Sequence, residues 1–119
     1  MNKDQHLMMN FWTPTWSPWD LGFNDWDMPW YVYYDYVEVY SYDESTGQFV
    51  FEWRDDFALL NLSRWEVSDF WTFGGNSTMF MKSQVTCSGG DLILKMQPQS
   101  HADSEMMREE RFHGSSFLQ

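Results

Sequence analysis

The sequence predicts an all-β protein, part of a β-sandwich. Three observations lead there. Segments rich in Tyr, Val, Phe and Trp recur at short spacing, separated by Gly, Pro and Asn turns. Helical periodicity is almost absent. At 119 residues the chain is one domain at most, or part of one, long enough for a small core. Many short strands between regular turn signals is the pattern of sandwiches.

Taken in order, Leu7-Met-Met-Asn-Phe-Trp12 is an apolar run that could form a strand. Thr13 to Pro29 reads as a loop, because Pro14, Pro18, Gly22 and Pro29 exclude a regular element. It carries Trp16, Trp19 and Trp26 beside Asp20, Asn24, Asp25 and Asp27; a 17-residue loop this aromatic is uncommon and often functional. Tyr31 to Tyr40 is almost wholly Tyr and Val, with neither alternating face cleanly polar. It reads as one strand covered on both faces. Asp43 to Gln48 is a short polar connection with a turn glycine, Gly47, and Phe49-Val-Phe-Glu-Trp53 returns as the second strand.

Asp55 to Ser63 is irregular, with Asp56-Phe57 turning the chain and Leu59 and Leu60 dipping inward. Trp65-Glu-Val67 and Phe70-Trp-Thr-Phe73 read as short strands, Gly74-Gly-Asn76 as a tight turn, and Thr78 to Thr86 as β-compatible. Ser88-Gly-Gly-Asp91 is a hairpin turn leading into a clear strand, Leu92 to Met96. From Gln97 the chain turns polar. Glu105 to Arg111 has room for two helical turns, and Phe112 to Gln119 reads as the approach to a further strand, so the chain is expected to be a piece of something longer.

The net charge of -11 and pI of about 4.3 argue against nucleic acid and anionic membrane as partners; the plain reading of the acid excess is solubility. Aromatic residues make up 20% of the chain, with eight Trp. Exposed in a groove, such rings suit the apolar C–H faces of sugars; alternatively they fill a sheet-on-sheet core, and composition leaves both readings open. Cys87 is the single cysteine, so no intrachain disulfide can form and no zinc spacing exists. No pattern supplies it with a base, and an inert thiol is expected. No secretory signal is read at Met1-Asn-Lys-Asp-Gln-His6, and no stretch approaches a membrane span. Two triplets, Asn61-Leu-Ser63 and Asn76-Ser-Thr78, have the form of N-glycosylation acceptors and matter if the chain enters a secretory route.

Four local patterns together resemble glycoside hydrolase family 16, the β-glucanases that include licheninases and laminarinases. Leu7-Met-Met-Asn-Phe-Trp12 resembles that family's M-N-L-W strand, and Tyr34-Asp-Tyr-Val-Glu-Val-Tyr40 its closing Y-D-W-V-x-V-Y strand. Phe51-Glu-Trp-Arg-Asp-Asp-Phe57 with Ser63-Arg-Trp65 resembles the opening of the mature enzyme, and Gly89-Gly-Asp-Leu-Ile-Leu94 its early D-G-x-L-x-L strand. The resemblance implies a concanavalin A-like jelly roll, a secreted parent enzyme and a β-glucan substrate. It divides the chain into a closing half (1–43), an opening half (49–97) and a polar tail (98–119) that leads to a missing strand. The halves stand in reverse of the family's order. Circular permutation or a junction between tandem domains would produce this, and the short Asp43–Gln48 connection favours permutation.

The family's chemistry rests on E-x-D-x-x-E, whose outer glutamates flank the scissile bond. None of the 18 acidic residues falls in that pattern. The nearest, Glu52-Trp-Arg-Asp-Asp56, has Arg54 at the middle position. No catalytic residue is therefore assigned, and this chain alone is expected to be inactive. The resemblance does imply part of a substrate cleft. Asn10 would bond sugar hydroxyls and Trp12 stack on a ring, against the plainer reading of a loop-edge cap and a core residue. Trp71 and Asn76, by a weaker W-T-F-x-G-N likeness, would line the donor-side subsites. Trp16 and Trp19 are cleft-rim candidates from composition. A structural Ca²⁺ is also implied, held by Asp35, Asp56 and the Gly90 carbonyl; hard oxygen donors suit that ion. The plainer reading has Asp35 capping a sheet edge.

Three functions are compatible with these observations. The chain is a fragment of a β-glucan endo-hydrolase, a non-catalytic β-glucan-binding module, or a degenerate frame without an independent fold. As a partial sandwich it would leave edges and apolar faces uncovered, so the isolated chain is expected to self-associate.

Overall fold

The computed structural model describes residues 4–15 and 27–98. Its regular elements are five antiparallel strands: β1 (Trp30–Tyr34), β2 (Val37–Asp43), β3 (Gln48–Asp55), β4 (Val85–Ser88) and β5 (Asp91–Met96). A 3₁₀ turn, Lys82–Gln84, precedes β4. The strands form a three-stranded sheet in the order β1-β5-β4 and a two-stranded ribbon, β2-β3. The all-β expectation holds, and the arrangement is that of a partial β-sandwich.

β5 shows why this chain folds. Its side chains alternate strictly, with Leu92, Leu94 and Met96 buried and Asp91, Ile93 and Lys95 partly open. The register sets Val32 and Val85 on either side of Leu94, and Tyr34 and Cys87 on either side of Leu92. These residues make one apolar face. Phe57, fully buried, lies against it with Leu60, Trp65, Met9, Phe11 and Val37. Burial pushes the Cys87 thiol up, in keeping with an inert role. The β4–β5 connection is a two-residue turn with φ of 62° at Gly89 and 84° at Gly90. Two successive positive φ values give the primed turn that matches strand twist, and glycine adopts them without strain.

The Tyr31–Tyr40 segment corrects the expectation of one strand covered on both faces. The chain breaks at Asp35-Tyr36 and serves two sheets: β1 pairs with β5, and β2 with β3. β1 is an edge strand. Tyr31 and Tyr33 stand on its open face, with ring centroids 6.5 Å apart. Tyrosine can border water because its hydroxyl stays wet while its ring packs. An unbroken Tyr/Val run is therefore no proof of two-sided burial.

The β2–β3 hairpin forms as read. Gly47 donates its N–H to the Asp43 carbonyl at 2.8 Å, and the Asp43 side chain accepts from Ser45 N and Oγ at 2.9 and 2.6 Å. A bulge leaves Glu52 unpaired between Phe51 and Trp53. Tyr40 packs on Phe51 and Tyr42 on Phe49, at 5.7 and 5.4 Å, and all four rings are exposed.

Other elements differ from the reading. Residues 7–12 are not a strand, although Met9 and Phe11 do pack on the core. Trp65–Val67 and Phe70–Phe73 are irregular apart from one bridge, Trp71 to Phe80, and only the end of the Thr78–Thr86 stretch joins a strand. Aromatic side chains there find ring partners without a ladder. Leu60 turns inward as expected, but Leu59 is 80% exposed. The turn at Gly74–Asn76 holds, closed by Asn76 N donating to the Phe73 carbonyl at 3.2 Å. Trp16, Trp19 and the rest of residues 16–26 lie outside the described residues, as does the tail beyond Pro98. Among the described residues no helix is long and apolar enough to cross a membrane.

Candidate functional site

The aromatic segment at 71–80 is built from a short excursion that returns on itself. Trp71 and Phe80 exchange backbone hydrogen bonds at 3.2 and 2.8 Å, and Thr72 Oγ1 donates to the Thr78 carbonyl at 2.8 Å. This fixes Trp71 flat on Phe80, with centroids 5.7 Å apart and planes 14° from parallel. Phe73 stands beside both, and Trp12 meets Phe73 edge-on at 5.0 Å. The amino-terminal segment is tied to the same excursion: Ser77 N donates to the Thr13 carbonyl and Thr15 N to the Gly75 carbonyl, both at 2.9 Å.

Between the amino-terminal segment, this aromatic cluster and the apolar face of β5 lies a cavity of about 400 Å³. Asn10, Trp71, Phe73, Phe80 and Trp65 line it, with Gln84 and Lys95 among the polar groups. Asn10 is exposed, and Trp71 is 52% exposed with one face taken by Phe80. An exposed amide beside an open indole face is suited to a flat ligand carrying hydroxyls.

Of the four residues expected to face a ligand, the structure brings Asn10 and Trp71 to one cavity. Trp12 is half-buried and sits behind them against Phe73. Asn76 serves the local backbone: its Oδ1 accepts from Thr78 N and Thr78 Oγ1, both at 2.9 Å, and its Nδ2 is buried without a partner. Phe73, Phe80 and Trp65 were not singled out by sequence reasoning. Phe73 lay within the W-T-F likeness and Trp65 within the Ser63-Arg-Trp65 likeness, neither as a ligand contact, and nothing in the pattern marked Phe80.

The three residues expected to hold a metal lie just beyond strand ends or in a turn. Asp35 follows β1, Asp56 follows β3, and Gly90 is in the turn between β4 and β5. Asp35, Asp56 and Gly90 are all exposed. Two carboxylates and a turn carbonyl are hard oxygen donors, which fits Ca²⁺. Among the described residues no group of three or more His, Cys, Asp or Glu side chains could hold a metal.

Two further carboxylates are engaged. Glu38 accepts from the Tyr40 hydroxyl at 2.7 Å and from Arg54 at 2.6 Å, and those bonds, Tyr40's foremost, hold it below the usual carboxylate range. Arg54 also lies over the Tyr36 ring at 3.9 Å. Asp55 is buried, which by itself raises its pKa. Hydrogen bonds from Trp65 Nε1 at 2.7 Å and Phe57 N at 2.9 Å, with Arg64 at 3.3 Å, outweigh burial and lower it. Both groups are held by the fold and neither lines the cavity.

No protein-family model matches the chain. A protein named β-glucanase from Fibrobacter succinogenes is 30% identical over 96 residues, a match that covers 77% of this chain. The chain spans 27% of that relative's length. The chain is thus glucanase-related at modest identity.

Proposed function

We propose that the chain is part of a family 16-type β-glucanase of the concanavalin A-like jelly-roll class, carrying one portion of the β-glucan cleft and not the catalytic carboxylates. The observation that carries this reading is the match to a β-glucanase, which extends over most of the chain. The cavity supports it: Trp71 offers an open ring face to a pyranose and Asn10 offers an amide to its hydroxyls. Trp12 and Phe73 back that platform, and Asn76 shapes the turn that presents it. Asp35, Asp56 and the Gly90 carbonyl would hold a structural Ca²⁺ that pins the closing half to the opening half.

Circular permutation is favoured over a tandem junction because β2 and β3, from opposite halves, are one hairpin with a tight turn, so the junction would lie inside a unit of structure.

The lack of an E-x-D-x-x-E pattern in this sequence favours a second reading, a β-glucan-binding module without activity of its own. Affinity electrophoresis of the full chain through soluble mixed-linkage β-glucan tests the shared claim. Retardation is expected, reduced at least tenfold in affinity by Trp71→Ala. Unretarded migration of a chain shown to be folded would overturn both readings. Hydrolysis of the glucan by the chain alone would overturn the assignment of no catalytic carboxylate.

A further inference from the structure

We propose that Asn61 is an N-glycan acceptor of the folded chain and that Asn76 is not. As sequences, Asn61-Leu62-Ser63 and Asn76-Ser77-Thr78 are equivalent acceptors. Folding separates them. Asn61 opens a surface turn: its carbonyl accepts from Arg64 N at 3.1 Å and Trp65 N at 2.9 Å, and its Oδ1 accepts from Ser63 N at 3.0 Å. Asn61, Leu62 and Ser63 are all exposed, so the amide nitrogen and the hydroxyl two residues on are open to an enzyme. At Asn76 the side-chain Oδ1 likewise accepts from the N–H two residues on, but Nδ2 is buried and Thr78 is only 2% exposed. Its flanks are clamped as well, with Asn76 bridged to Pro14 and Ser77 Oγ donating to the Pro14 carbonyl at 3.1 Å. No transferase can reach that nitrogen without opening the 71–80 excursion.

The step is a glycosyl transfer from a lipid-pyrophosphate-linked oligosaccharide. Asn61 Nδ2 attacks the anomeric carbon, the bond from that carbon to the pyrophosphate oxygen breaks, and the lipid pyrophosphate leaves with the electron pair. Nδ2 gives up one proton to a base of the transferase, and nothing is oxidised or reduced. The surroundings give the glycan a physical role. Leu59 and Leu62, 80% and 58% exposed, flank the acceptor, and a bulky hydrophilic group there screens them from other chains.

The test incubates the purified full chain with solubilised oligosaccharyltransferase and lipid-linked oligosaccharide, with sites mapped by mass spectrometry. One glycan is expected, at Asn61. It should vanish in Asn61→Gln and persist in Asn76→Gln. The urea-unfolded chain, diluted into the same reaction before it can refold, should be modified at both sites. Modification of the native chain at Asn76, or none at Asn61, overturns the proposal. Modification of the unfolded chain at Asn61 alone overturns burial as the reason. None of these outcomes depends on glucan binding.

Discussion

Replacing Asp55 by alanine removes the contact that ties the β2–β3 ribbon to the 57–65 segment. Asp55 ends β3, and its carboxylate gathers three donors from residues further along the chain: Phe57 N, Trp65 Nε1 and Arg64. Phe57 is fully buried with φ of 56°, a left-handed conformation unfavourable for a bulky side chain. The bond from its N–H to Asp55 helps hold it there. In Asp55→Ala, Arg64 recovers water because it is near the surface, but Phe57 N and Trp65 Nε1 lose their acceptor. The unmet donor at Phe57 is buried and costs ~1–3 kcal/mol, while Trp65 Nε1 is part-buried and costs less, so ~1–4 kcal/mol of stability should go. Asp55→Asn keeps one acceptor oxygen but turns an NH₂ toward N–H donors, and should cost ~1–3 kcal/mol. Urea unfolding followed by tryptophan emission measures both. A pH series adds the sign. The folded pKa lies below the unfolded one, so the contribution is present above the unfolded value of about 3.9 and is lost as pH falls through the folded pKa. The gap between wild type and Asp55→Asn should therefore narrow below pH ~4. An Asp55→Ala variant within ~0.5 kcal/mol of wild type at pH 7 would refute the reasoning, since that is the range of an ordinary surface substitution.

Leu94→Ala should destabilise by ~2–5 kcal/mol, because Leu94 is buried between Val32 and Val85 on the covered face of β5, as calorimetry would show. Gly89→Val should cost roughly 1–2 kcal/mol by urea titration, and Gly89→Asn less; no atom lies within 4 Å of an added Cβ, so the loss is backbone strain alone. Millimolar Ca²⁺ should raise the melting temperature of the wild-type chain but not of an Asp35→Asn/Asp56→Asn double variant; an equal rise in both would remove the metal from these carboxylates. Sedimentation should show self-association that weakens when Tyr42 and Phe49, exposed together on the ribbon, are both replaced by serine; a monomeric wild type would contradict it.

Much of the local structure is legible in the sequence. The Ser88–Asp91 and Asp43–Gln48 turns follow from glycines where positive φ is needed, and β5 follows from its Leu-Ile-Leu-Lys-Met run. The all-β class follows from composition, since Tyr, Val, Phe and Trp between turn residues suit a pleated, half-buried surface. Other points were settled only by partners distant in sequence. Asp35-Tyr36 looks continuous with its neighbours, yet it divides two strands because β5 and β3 claim opposite sides of the break. Trp71 stacks on Phe80 and Trp12 meets Phe73 edge-on through tertiary proximity that no periodicity announces. The two Asn triplets are equal in sequence and opposite in exposure, because one lies on a free turn and the other under the amino-terminal segment. Sequence by itself determined the all-β class, the two tight turns and the strands beside them, through local backbone preference, but it also marked 7–12, 65–67 and 70–73 as strands, which they are not. Which faces are covered, which rings meet at the cavity and which amide stays open were decided by the tertiary structure, because burial is a property of the neighbours a residue acquires on folding.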